Sequence, residues 1–243
     1  MNNYENYPYG NGYSSAAQVE NEMTLSNYIA SVMRRVYGKM FLGLLATAIT
    51  SFMMLSSETL ITMLLGNRII FWGLMIAELA LVFGISGAIN KLSSGTATAL
   101  FYLYSVLNGV TLTPIFLAYT FSSISQTFLI TSLTFGAMTA FGYFTKQDLS
   151  KFGSFLFMAL IGLIVASLIN LFMGSSTLEW IISLAGVAIF IGLTAWDTQK
   201  IKEMASMTDP SQVGKVATLG ALILYLDFIN LFLYLLRFFG SRD

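Results

Sequence analysis

The sequence contains no cysteine and no histidine. The first absence excludes disulfides, thiol nucleophiles and sulfur-ligated metals. The second removes the usual general base, the commonest zinc ligand and the usual switch near neutral pH. Titration in that range is left to carboxylates in unusual surroundings. Charge is scarce as well. Only 10% of the 243 residues are charged, against about 25% in soluble domains. Lys plus Arg and Asp plus Glu number 12 each, so no basic excess invites a nucleic acid. Proline occurs only at Pro8, Pro114 and Pro210.

What is present is apolar. Hydrophobic residues make up 56% of the chain, and the mean hydropathy is +0.74. A transmembrane helix needs about 20 mostly apolar residues. Seven stretches qualify: Tyr37–Leu55, Ile69–Ile89, Thr96–Tyr119, Phe128–Phe144, Phe152–Met173, Trp180–Trp196 and Val216–Phe238. The expected fold is therefore an all-α polytopic membrane protein with seven transmembrane helices, and the lipid bilayer is its first partner. Residues 1–24 open with "MNNYENYPYGNGYSSAAQVENEM". This segment lacks the basic start and apolar run of a signal peptide and reads as a flexible tail. Residues 25–243 read as one domain.

Lysine and arginine orient the chain. With the N-terminus in the cytoplasm, Arg34, Arg35, Lys39, Lys91, Lys146, Lys151, Lys200, Lys202 and Lys215 fall inside, and Arg68, Arg237 and Arg242 fall outside. This bias points to a cytoplasmic N-terminus and an external C-terminus. A six-span alternative would make the last segment re-enter. Gly136 with Ala140, and Gly162 with Ala166, have the spacing that lets helices approach closely. Pro114 removes a backbone donor within the third span and is expected to kink it.

Nine of the twelve acids fall in tails, loops or helix ends, where water solvates them. Glu78, Asp197 and Asp227 remain. Asp227, in "LYLDFINLFLYLLRFF", lies about eleven residues into the last span, roughly 16 Å deep. An acid at that depth costs on the order of 3 kcal/mol and marks function. Asp197 closes the sixth span in "TAWDTQKIK", beside Lys200 and Lys202, and reads equally well as a solvated interfacial acid. A hairpin turning near Asp209 or Pro210 would set Asp197 opposite about Leu222, some 7–8 Å along the axis from Asp227. The hairpin permits a pair without requiring one. Two carboxylates that met there would share a proton. Protonation would then bias two packings of the bundle. Lys91, Glu78 and Asn230 are the candidate pairing or pore-lining groups. Oxygen ligands alone suit a hard cation.

"LYLDFINLFLYLLRFFG", preceded by "AWDTQKIK", resembles the Bax-inhibitor (transmembrane Bax inhibitor motif) family. "VYGKMFLGLLATA" and "NGVTLTPIF" are similar to that family's first and third helices. The resemblance implies six helices around a central C-terminal seventh. It also implies a pH-sensitive calcium leak channel gated by an aspartate pair, which falls here on Asp197 and Asp227. Calcium is implied as permeant ion, held at most by those two carboxylates, with no cofactor. A basic residue after the second helix pairs with the aspartates in that family; here the position offers Lys91. Trp196 stands where the family often has Tyr. Bacterial relatives imply an inner-membrane location and a second reading, a regulator that binds a membrane-anchored AAA protease.

An enzyme is not expected. An intramembrane aspartyl protease needs Gly-x-Gly-Asp and a later Pro-Ala-Leu, whereas "LYL" precedes Asp227 and no proline follows it. A Ser–His dyad is impossible without histidine. A secondary transporter would need paired broken helices, which the sequence does not display.

Overall fold

The structure is a computed structural model. It describes residues 12–241, with side chains described from residue 23 onward. The helices are α1 (Gly12–Leu55), α2 (Glu58–Gly66), α3 (Arg68–Ala88), α4 (Ser94–Thr111), α5 (Thr113–Ala118), α6 (Phe121–Phe144), α7 (Ser150–Met173), α8 (Ser176–Ser206) and α9 (Val213–Phe239). Seven helical segments are long and apolar enough to cross a membrane, from Met23–Leu55 through Pro210–Phe239. In lipid the backbone must bond to itself, which selects the helix. Polar side chains close the ends. Ser57, Asn67, Ser93, Thr120 and Ser175 each accept from a backbone N–H of the following turn.

The helices start earlier than hydropathy suggests. α1 begins at Gly12, so helix covers the later part of the segment read as a tail. Residues 1–11 of that segment, and Arg242 of the external basic set, lie outside the described residues. α8 runs nine residues past Asp197, to Ser206. The turn to α9 is a short 3-10 segment, Pro210–Gln212, capped by Asp209, whose carboxylate accepts from the Ser211 N–H at 2.8 Å. That backbone hydrogen bond holds the Asp209 carboxyl below its ordinary range.

Pro114 breaks the third span rather than bending it. Its ring crowds the carbonyl four residues back and it has no N–H to offer. The helix stops at Thr111, passes through Leu112 and resumes as α5. At this break the hydroxyls of Ser51 and Thr113 both donate to the Gly109 carbonyl.

α9 is the axis of the bundle. Of its apolar window 67% is buried, against 50% for α8 and 6–39% for the other spans. α1, α3, α4, α6 and α8 pack around it. α7 packs chiefly on α8, in an outer position of the bundle. α7 is strongly apolar, with 11% of its window buried. That is the profile of a helix facing lipid.

The close helix approaches do not fall where the glycine spacing predicted them. A Cβ on Gly136 or Gly162 would meet nothing within 4 Å. A Cβ on Gly142 would collide with the Ala195 carbonyl, and one on Gly153 with the Trp196 ring. The spacing alone does not say which face of a helix meets a neighbour. Gly142→Ala and Gly153→Ala should each destabilise the protein by about 1–3 kcal/mol. Gly136→Ala and Gly162→Ala should be neutral or gain the ~0.5–1 kcal/mol of helical alanine. Thermal unfolding in detergent distinguishes the two pairs; equal shifts for all four would contradict the packing.

Candidate functional site

The α8–α9 hairpin carries the site. Gly220 of α9 faces Ile201 of α8, and Gly186 faces Tyr234. This register sets Asp197 level with about Leu224, three residues short of Asp227, or roughly 4.5 Å along the axis. Helical side chains lean toward their own N-terminus. In an antiparallel pair, Asp197 therefore leans away from the turn and Asp227 leans toward it. The two tilts converge. The carboxyl groups lie within hydrogen-bonding reach of each other.

Both acids are buried, Asp197 at 8% and Asp227 at 5% exposure. Among the described residues, Oδ2 of Asp227 has no hydrogen-bond partner. The reading of Asp197 as a solvated interfacial acid therefore fails. It fails because α8 continues past it as helix and α9 covers it. Lys200, one turn further along α8, acts on Asp197 through its charge and lies 4.8 Å over the Trp196 ring. Thr198, adjacent to Asp197, donates to the Thr194 carbonyl of its own helix at 2.7 Å and lies near the Tyr37 hydroxyl of α1.

The other predicted residues lie elsewhere. Lys91 is exposed, in the corner between α3 and α4. That corner packs on the start of α9, where Lys215 donates to the Asn90 carbonyl at 3.1 Å and Gly214 abuts Ser94. Gly214 is thirteen residues before Asp227, roughly 20 Å along the helix, so Lys91 is not the partner of the pair. Asn230 donates to the Leu226 carbonyl of its own helix at 2.8 Å.

Glu78 belongs to a second polar chain. Its carboxylate accepts from Thr111 Oγ1 at 2.6 Å and from Asn108 Nδ2 at 3.4 Å. Asn108 Oδ1 accepts from the Tyr225 hydroxyl at 3.0 Å, which lies 2.5 Å from Thr47 Oγ1. Four helices are joined in this way: α1, α3, α4 and α9. Tyr225 is two residues from Asp227, about 200° around the helix. α9 therefore carries an acid on the face toward α8 and a hydroxyl on the opposite face. Sequence reasoning missed Thr47, Asn108 and Tyr225. The usable signal was Asn108 in "NGVTLTPIF" together with Tyr225 at an offset of two from the acid.

Among the described residues no group of three or more acidic side chains comes together. The aspartate pair supplies four oxygens, fewer than the six to eight that calcium takes.

Residues 29–243 match the family described as inhibitor of apoptosis-promoting Bax1. The chain belongs to the Bax-inhibitor family. It is 51% identical over 217 residues to the inner membrane protein YbhL of Escherichia coli, covering 88% of this chain and 93% of that relative. An uncharacterized protein of Borreliella burgdorferi is 47% identical over 227 residues, with 93% and 97% covered. Uncharacterized protein RP147 of Rickettsia prowazekii is 43% identical over 224 residues, with 90% and 93% covered. In this Bax-inhibitor chain the matched region begins in α1 and includes both polar centres.

Loss of the buried hydroxyl in Tyr225→Phe should cost about 1–3 kcal/mol, because Asn108 and Thr47 lose their shared partner. Combination with Thr47→Val should cost less than the sum of the singles. Unfolding in detergent measures both, and strict additivity would contradict a shared network.

Proposed function

We propose that this Bax-inhibitor protein is a pH-sensitive calcium leak in which Asp197 and Asp227 form the proton-responsive gate. One observation carries the reading: two buried carboxyls from neighbouring helices lie beside each other, and Asp227 Oδ2 has no hydrogen-bond partner among the described residues. A buried charge needs a partner, and two buried like charges repel. With one proton between them the carboxyls hydrogen-bond and hold α8 against α9. With none, repulsion favours a different packing or the entry of a cation. The number of protons on the pair is thus coupled to the packing of the hairpin.

Lys200 acts on the pair from α8 itself, and Tyr37 of α1 lies near Thr198, the neighbour of Asp197. These groups set the field in which the pair titrates. A hard cation fits carboxylate chemistry, and calcium passing the pair would keep part of its water shell. The basic bias supports a cytoplasmic N-terminus and a cytoplasmic α8–α9 turn, in a bacterial inner membrane like that named for the Escherichia coli relative.

The test is calcium flux into vesicles holding the purified protein, read between about pH 6 and pH 8, the range left without a histidine switch. Wild-type flux should change with pH. Asp197→Asn and Asp227→Asn keep shape and hydrogen bonding but cannot ionise, and each should flatten the profile. A wild-type pH response in both variants would overturn the gate. Vesicles that pass no calcium at any pH would overturn the leak and favour the regulatory alternative, binding of a membrane-anchored AAA protease.

A further inference from the structure

A cleft lies between α1 and α6. Both helices pack on α8. The cleft is an open hollow of about 330 Å³ whose lining includes Arg34, Tyr37, Gly136, Thr139, Ala140 and Tyr143. Gly136 has open space where its side chain would be, so the small residues here make room rather than contact.

The two ends of the cleft differ in chemistry. Along Gly136 and Ala140 the wall is apolar. At the other end Arg34 is exposed and makes no ion pair among the described residues. Lys202 reaches the same edge from α8: its Nζ donates to the Tyr143 carbonyl at 2.8 Å and lies 5.1 Å over the Tyr143 ring. The Tyr37 hydroxyl lies near Thr139 of the lining and near Thr198 of α8. Beside the cleft, Phe41, Phe141 and Phe144 are exposed. In a bilayer, helix faces of this kind are covered by lipid.

We propose that this cleft binds an anionic phospholipid. The headgroup phosphate lies against Arg34, with Lys202 adding positive potential across Tyr143. One acyl chain lies along Gly136 and Ala140. An arginine fork suits a phosphate, and the juxtaposition of basic edge and apolar trough matches the two ends of one lipid molecule. Tyr37 of the lining lies near Thr198, the chain neighbour of Asp197. The binding site stands on its own geometry and does not depend on the leak.

Native mass spectrometry of the full chain tests this. The protein is equilibrated in mixed micelles holding equal phosphatidylglycerol and phosphatidylcholine, and the lipids retained are counted. Wild type should retain phosphatidylglycerol in preference. Arg34→Gln should lower that retention about fivefold, the share of one basic side chain at an anionic surface. Gly136→Leu, which fills the trough, should lower retention of both lipids. Arg35→Gln, an exposed neighbour outside the lining, should leave retention unchanged. Equal retention of the two lipids by wild type, or no loss in Arg34→Gln, would overturn the proposal. So would displacement of the lipid by excess inorganic phosphate, which would reduce the site to an anion contact. Arg34 is exposed, so Arg34→Gln decides the matter even if Gly136→Leu fails to fold.

Discussion

The structure depends on burying α9 with an acid in its middle. A helix at the centre of a membrane bundle is stabilised by apolar packing, and α9 packs on five neighbours. Asp227 works against that burial, since it is 5% exposed and its Oδ2 has no hydrogen-bond partner among the described residues. The carboxyl that acts on it is that of Asp197. Everything near the hairpin is consistent with bringing those two groups together. The antiparallel tilt of the side chains closes the remaining axial gap. The glycines at 142 and 153 let α6 and α7 press on α8 at Ala195 and Trp196, immediately before Asp197.

The opposite face of α9 is arranged differently. There the polar groups are neutral hydroxyls and an amide, and Glu78 sits at the end of the chain they form. Such a network satisfies its donors internally and ties α9 to α1 and α4. The two faces thus divide the work of the helix. One is anchored by a chain of side-chain hydrogen bonds that ends at the Glu78 carboxylate. The other meets α8 through the buried aspartate pair. A movement of α8 against a fixed α1–α4–α9 unit is the simplest motion this division allows.

The seven spans were legible because each is a long apolar run, and Asp227 was legible because an acid inside such a run is costly. The state of Asp197 was not. It stands before "TQKIK", polar residues that look like a membrane edge but here continue α8 by more than two turns. The network of Thr47, Asn108 and Tyr225 was hidden for another reason. None of these residues is expensive enough singly to stand out, and only the fold places them together. Lys91 was misplaced by counting loop position without the packing of the α3–α4 corner on the start of α9. The small-residue pairs were real, but Gly136 borders a cleft and Gly162 open space.

The bundle therefore combines a polar seam joining α1, α3, α4 and α9, a buried aspartate pair between α8 and α9, and a lateral cleft between α1 and α6. The central claim is that Asp197 and Asp227 hold one proton between them. Infrared difference spectroscopy in lipid, recorded as pH is raised through neutrality, reads protonated carboxyls directly. One shared proton predicts a single carboxyl band that is lost on alkalinisation and is moved or removed by Asp197→Asn and by Asp227→Asn alike. A pH-dependent carboxyl signal that is the same in wild type and in both variants would contradict it.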